Sequence, residues 1–168
     1  FYGQQDSAIS YQDPGEHENH SIYLQGLWRN GPESLTHARE TESLVDYLAT
    51  RFSATTVNVV LGSSAGDEYR VRVTMDGRPL SPAEAGADIK YDDDGSSYVA
   101  VDRPDMYRLV SLPEFGDHEL NFKLVHSALA LVSIVLALRL HRLDRDAARS
   151  RAPSPSSHDG RGDLVHDG

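Results

Sequence analysis

The stretch YRVRVTMDG, residues 69–77, decides the fold class of this chain. Its tyrosine, valines and methionine occupy every second position, with Arg70, Arg72 and Thr74 between them. Side chains of a β-strand point alternately to the two faces of a sheet, so this pattern predicts a strand with one buried face and one exposed face. The Asp76-Gly77 pair that follows is a strong signal for a tight turn between two antiparallel strands.

The same short alternation recurs on both sides of this stretch. It predicts about seven strands, at residues 22–28, 47–52, 55–61, 69–75, 97–101, 106–112 and 118–122. Gly, Pro, Asp and Asn separate them, and no window before residue 123 favours a long helix. Short strands with frequent turn signals are typical of an all-β antiparallel β-sandwich or jelly roll.

Composition narrows the classes of function. The chain has 168 residues, a net charge of −10 and no cysteine. The acidic balance argues against a protein that binds the phosphate backbone of nucleic acids. Without cysteine the chain has no disulfide, no thiolate metal site and no thiol chemistry of its own.

Charge and hydropathy both change near Lys123. Residues 1–123 carry 10 basic and 21 acidic side chains, whereas residues 124–168 carry 6 Arg and 5 Asp. We therefore predict four parts: an N-terminal extension or linker at 1–20, a β-sandwich domain at 21–123, an apolar and then Arg-rich helical segment at 124–149, and a disordered tail at 150–168.

The segment from Leu124 to Leu138 contains no charged residue and allows three interpretations. It could anchor the chain in a membrane or dock onto a partner, because arginines follow it as they follow a membrane span. Its 15 residues are fewer than the ~20 that cross a bilayer. It could instead be a helix or strand that packs on the sandwich, or a non-homologous end produced by a change of reading frame.

Several motifs occur in order along residues 1–122: DPGEH at 13–17, SIYLQGLW at 21–28, DYLA at 46–49, RFSA at 51–54, VTMDGRPL at 73–80, GAD at 86–88, MYRLV at 106–110 and FGDHEL at 115–120. In these motifs the chain resembles the C-terminal domain that follows the thioredoxin module in DipZ-type and related redoxin proteins. The family closes with a Phe-rich strand that this chain lacks, and loss of that strand would expose a sheet edge.

This resemblance implies a β-sandwich similar in shape to carbohydrate-binding modules. In such proteins the sandwich lies beside a Cys-x-x-Cys thioredoxin domain that performs thiol–disulfide exchange, often in extracytoplasmic cytochrome maturation. It implies a non-catalytic accessory module without a cofactor. The partners implied are a thioredoxin-fold domain or a cell-wall glycan.

A sugar-binding group is one hypothesis for the residues around the single tryptophan. A sugar site needs an exposed aromatic ring with polar neighbours that hydrogen-bond to hydroxyl groups, and the candidates are Tyr23, Trp28, Arg29, Asn30 and His37. The alternative is that Trp28 is a core residue that joins two sheets, as large aromatic side chains usually are.

Other clusters predict neither a metal site nor a catalytic site. His17 and His20 have the i, i+3 spacing of a zinc pair on a helix, but Pro14-Gly15 favours a turn here. The run from Asp92 to Gly95 lacks the alternating oxygens of a calcium loop and is better explained as a turn. Glu114 and Glu119 flank a segment that we predict to be an exposed turn, not a glycosidase pair.

Overall fold

The computed structural model describes residues 7–32, 34–39, 41, 43–62, 68–124 and 135–138. This part contains ten β-strands: β1 Ala8–Tyr11, β2 Ile22–Asn30, β3 Leu35–His37, β4 Tyr47–Leu61, β5 Tyr69–Met75, β6 Arg78–Pro79, β7 Ile89–Tyr91, β8 Ser97–Val101, β9 Asp105–Leu124 and β10 Val135–Leu138. Every pair of these strands is antiparallel. The predicted all-β antiparallel class is confirmed.

The two long strands β4 and β9 form the centre of the sheet. The strand order is β1-β2-β4-β9-β5-β8-β7, with β3 on β2, β6 on β5 and β10 on β4. Pairing of β4 with β9 runs from Tyr47 opposite Lys123 to Leu61 opposite Asp105. The strands predicted at 47–52 and 55–61 are therefore one strand, as are those predicted at 106–112 and 118–122.

Irregularities within the central pair replace the breaks that the sequence suggested. Ala54 lies opposite Gly116 and Thr56 lies opposite Ser111, so the segment 112–115 of β9 faces a single residue of β4. Extra residues in one strand bend it and increase its twist without ending the pairing. The expectation of an exposed turn between Glu114 and Glu119 is wrong, because these residues belong to one bulged strand.

The bulge also shifts the buried face of β4 by one residue. Phe52 and Ala54 are fully buried before it, and Val57 and Val59 are fully buried after it. All four belong to one hydrophobic core, which also takes side chains from β2, β5, β8 and β9. The sheet thus wraps around a single core, as expected for a sandwich-like fold.

Two predicted turns are confirmed. Asp76 and Gly77 both have positive φ, 51° and 78°, and they join Met75 to its partner Arg78. Two positive φ values in a two-residue connection define a type I′ turn, the turn that Asp-Gly favours. Between β7 and β8, the N–H of Gly95 donates to the carbonyl of Asp92 at 2.9 Å, which makes the acidic run a turn.

Two strands lie outside the range 21–123 that was predicted for the β-sandwich domain. Strand β1 lies within the predicted linker at 1–20 and pairs with β2, Ala8 opposite Arg29. Strand β10 lies within the segment predicted to be helical and pairs with residues 57–60 of β4. The helix prediction is wrong for Val135–Leu138, because an open edge of β4 offers backbone donors and acceptors that a further strand satisfies.

The remainder of the predicted C-terminal organisation lies outside the described residues. This holds for residues 125–134, 139–149 and the tail 150–168. Leu124, where the apolar segment begins, is the buried last residue of β9. Within the described part of the chain, no helix is long and apolar enough to cross a membrane.

Candidate functional site

Trp28 and His37, two residues of the predicted sugar site, lie opposite each other on β2 and β3 and face the core. Trp28 is 1% exposed and His37 is 2% exposed. Their rings meet edge to face at 5.0 Å, and the indole Nε1–H donates to the carbonyl of Gln25 at 2.9 Å. A buried ring offers no face for a sugar, so the prediction of an exposed platform at Trp28 is wrong and the core alternative is confirmed.

A buried carboxylate anchors this corner of the core. The Nε2–H of His37 donates to Oδ2 of Asp46 at 2.7 Å, and Arg39 donates to both oxygens of the same carboxylate. Burial by itself raises the pKa of Asp46, but the bonds from Arg39 and His37 outweigh it and hold that pKa below 3.8. Asp46 is therefore an ionised group with its charge satisfied inside the fold.

The other three predicted sugar-site residues do not join Trp28 in one surface. The Tyr23 ring stacks on His17 at 4.2 Å, and its hydroxyl accepts a bond from the N–H of Glu18. Arg29 is exposed on β2 and Asn30 is the half-buried last residue of that strand. The structure thus divides the predicted group between the core and the surface.

A different arrangement of polar groups lies around His118 on β9. The Asp76 carboxylate, held at the type I′ turn, accepts from Nδ1 of His118 at 2.8 Å and from the N–H of Glu119 at 2.9 Å. The turn therefore sets the direction of the imidazole. The space next to Nε2 exists because position 116 is glycine, where a Cβ would lie 2.9 Å from that nitrogen.

His118 borders two adjoining cavities, which together we call the His118 cleft. One has a volume of about 300 Å³ and is lined by polar groups, among them Arg51 and Asp117. The other has a volume of about 340 Å³ and includes Leu112 and Pro113 of the β9 bulge. Phe115, in the same bulge, is 54% exposed. The cleft thus combines charged groups with apolar residues of the bulge, and the exposed ring of Phe115 lies next in sequence to Glu114 of its lining. This arrangement suits binding more than it suits chemistry.

The hydroxyl groups near this cleft are bonded to carboxylates. Ser53 donates to Asp117, which lowers the pKa of that carboxyl. Ser81 donates to Glu84 at 2.6 Å. Hydrolysis by a serine nucleophile needs the hydroxyl to be bonded to a base such as an imidazole. The geometry therefore does not make a nucleophile of either serine.

A third cluster fastens the N-terminal segment to the sheet through His17. Its Nε2 lies 2.7 Å from Oδ1 of Asp13, and its Nδ1 lies 2.9 Å from Oε2 of Glu119 on β9. His20, the other half of the proposed zinc pair, has a φ of 62° and its N–H donates to the carbonyl of Arg51. Carboxylates therefore take both ring nitrogens of His17, and no group of three metal-binding side chains occurs in the described ranges.

The polar residues that matter in these clusters were mostly missed by sequence reasoning. Asp13 and His17 carry the i, i+4 spacing that brings two side chains together in a turn or helix, which is a usable signal. Asp76 and His118 are 42 residues apart, and His17 and Glu119 are 102 apart. No short sequence pattern predicts that residues so far apart in the chain form a hydrogen bond.

Comparison with protein-family sequence models gives a match over most of the chain. The sequence model of the thioredoxin-like C-terminal domain matches residues 2–133. No curated protein matches the chain. Since the match covers most of the sequence and nearly all of the sheet just described, the chain belongs to the family of thioredoxin-like C-terminal domains.

Proposed function

We propose that this chain is the non-catalytic accessory module of a thioredoxin- or redoxin-type thiol–disulfide exchange protein, and that it binds a thioredoxin-fold domain. The observation that carries the proposal is family membership over residues 2–133 in a sequence that contains no cysteine. Thiol–disulfide exchange proceeds through a thiolate, so in this arrangement the chemistry belongs to the partner. The DipZ-type arrangement, with a Cys-x-x-Cys domain beside the sandwich, is the specific form we propose.

The His118 cleft is the surface that we propose for this contact. The exposed ring of Phe115 stands in the bulge whose residues Leu112 and Pro113 line one cavity. Aromatic side chains with polar surroundings are enriched where proteins meet. The bulge also leaves the rest of β9 paired with β4, so this contact surface is attached to the centre of the sheet.

The proposal is tested by titrating the full chain with an isolated thioredoxin-fold domain that contains Cys-x-x-Cys, monitored by NMR. We expect chemical-shift changes concentrated at Phe115, Glu114 and His118. Replacement Phe115→Ser should weaken binding by about tenfold, because truncation of a central aromatic contact costs more than about 1 kcal/mol.

Met106→Ser is the matched control. Met106 is 52% exposed and lies on the same strand, but it stands opposite Val60 at the far end of the pairing with β4. We expect this variant to bind as the unaltered chain does. Absence of shifts with the thioredoxin-fold domain, or equal losses for the two variants, would contradict the proposal.

Docking to a membrane or partner through the segment from Leu124 to Leu138 was the alternative function. The described parts of that segment are engaged in the sheet: Leu124 ends β9 and Val135–Leu138 pair with β4. Docking through these residues would require them to leave the sheet. We therefore favour the accessory-module function.

A further inference from the structure

The N-terminal arm, which we define as residues 13–20, is joined to the sheet by a histidine between two carboxylates. One ring nitrogen of His17 meets Asp13 of the arm and the other meets Glu119 of β9. An ionised carboxylate only accepts hydrogen bonds. Both bonds therefore form together only when both ring nitrogens carry hydrogen, that is, when His17 is an imidazolium.

The elements packed around His17 complete this arrangement. From β2, Tyr23 stacks on the ring. From β4, Nη1 of Arg51 donates to the backbone carbonyl of His17 at 2.9 Å, and the Tyr47 hydroxyl donates to Asp13. The His17 side chain is 8% exposed. The imidazolium is thus shielded from water, with Arg51 bound to its backbone oxygen and two carboxylates at its nitrogens.

The link to Glu119 is the part of the arrangement that joins arm and sheet through the ring. The Asp13–His17 bond lies within the arm, whereas the His17–Glu119 bond spans 102 residues of sequence. The side chain of Glu119 is 32% exposed and its second oxygen accepts from Asn121 at 3.1 Å. A neutral ring has one N–H and keeps only one of the two carboxylate bonds.

We propose that residues 13–20 form a pH-operated clamp, in which the charged ring of His17 holds the arm against β9 in mild acid and loss of its proton loosens the arm as the pH rises. This inference goes beyond the proposed function and does not depend on it. It follows from the two nitrogen–carboxylate contacts and from the burial of the ring.

The pKa shifts agree in direction with the clamp. Burial by itself lowers the pKa of His17, but the hydrogen bonds to Asp13 and Glu119 outweigh it and raise that pKa above 6.5. Its contribution to stability is therefore complete below pH 6.5 and is lost as the pH rises through the raised value. The pKa of Asp13 is lowered, since bonds from Tyr47, Gly15 and His17 outweigh burial. The clamp is therefore closed between these two pKa values.

The test is an NMR titration of the full chain between about pH 5 and pH 9. We expect the His17 ring to titrate with a midpoint above 6.5. The amides of Gly15 and Glu18 should shift with the same midpoint, because Gly15 donates to Asp13 and Glu18 donates to Tyr23. In His17→Gln this shared pH dependence should disappear from both amides.

Two further variants separate the clamp from a general effect of mutation. Glu119→Gln should move the midpoint of His17 down towards 6.5, because one carboxylate bond loses its charge. His20→Asn should leave that midpoint unchanged, since His20 is the other histidine of the arm and Asn tolerates its positive φ. A His17 midpoint at or below 6.5, arm amides that do not follow it, or equal shifts in the two variants would each overturn the proposal.

Discussion

In two histidine–aspartate pairs of this molecule the Nε2 atom lies 2.7 Å from a carboxylate oxygen, but the two pairs lie in different surroundings. His37 and Asp46 lie in the core beside Trp28, with an Asp46 side chain that is 0% exposed. His17 and Asp13 lie on the arm, and their third partner is partly open to water. We call these the enclosed pair and the peripheral pair. The enclosed pair joins β3 to the residue before β4, whereas the bond of the peripheral pair lies within the arm, and the further bond from His17 to Glu119 joins the arm to the sheet. The comparison teaches that the third partner of each pair, Arg39 or Glu119, decides what the pair holds in place.

The largest expected effect is that of Gly26→Ala at the enclosed pair. Gly26 has a φ of 103°, and a Cβ there would lie 2.1 Å from Cγ of Asp46. We expect a loss of about 4 kcal/mol in the free energy of unfolding, because backbone strain adds to the disruption of a buried charged group. Urea unfolding followed by Trp28 fluorescence measures it.

Gly77→Ala is the control for this prediction. Gly77 also has a positive φ, 78°, but a Cβ there would meet nothing within 4 Å. We expect a loss of only about 1 kcal/mol, from backbone strain alone. Equal losses for the two glycine variants would show that the contact with Asp46 is unimportant.

The next largest effect is expected for Asp46→Asn, which keeps the shape of the side chain and removes its charge. His37 and Arg39 would lose their ionised acceptor, so we expect about 3 kcal/mol of destabilisation. Arg39→Gln should cost less, since the Arg39 side chain is 46% exposed and water screens its ion pair. An Asp46→Asn variant as stable as the unaltered chain would remove the distinction between the enclosed and the peripheral pair.

The smallest effect is expected for Asp13→Asn at the peripheral pair, and it should depend on pH. At about pH 6 we expect a loss of about 1 kcal/mol, and the part that depends on pH is the charge-assisted hydrogen bond to His17 rather than the bonds from Tyr47 and Gly15. The loss should diminish as the pH rises through the raised pKa of His17, where the unaltered chain loses the same contribution. Chemical denaturation at several pH values measures this difference, and a difference that is constant with pH would speak against the clamp.

The parts of the fold that the sequence predicted are those governed by near neighbours. Tyr69, Val71, Val73 and Met75 are buried at alternate positions, as their pattern indicates. The Asp76-Gly77 pair forms the turn that its conformational preferences favour. Sequence reasoning divided β9 into two strands, because Pro113 and Gly116 favour a break, and it also divided β4 at residues 53–54. The pairing of the two strands instead tolerates a bulge.

The polar sites, by contrast, depend mainly on residues that are distant in sequence. The alternative in which Trp28 is a core residue was available from its size and apolar character, but its contact with His37 depends on the register of β2 with β3. The contact between the Asp46 carboxylate and the backbone of Gly26 could not be predicted from the local sequence of either residue. The strand at Val135–Leu138 likewise depends on an open edge of β4, a feature that exists only once the sheet has formed.

By itself the sequence determined the all-β class, the presence of a tight turn at Asp76-Gly77, the absence of cysteine and the family. Tertiary structure alone decided which carboxylate each histidine meets: Asp46 for His37, Asp76 for His118, and Glu119 as the second partner of His17. The physical reason is the distance along the sequence over which each kind of interaction acts. Alternation and turn preferences follow from backbone geometry over a few residues, whereas these hydrogen bonds depend on how segments distant in sequence are brought together in the folded sheet.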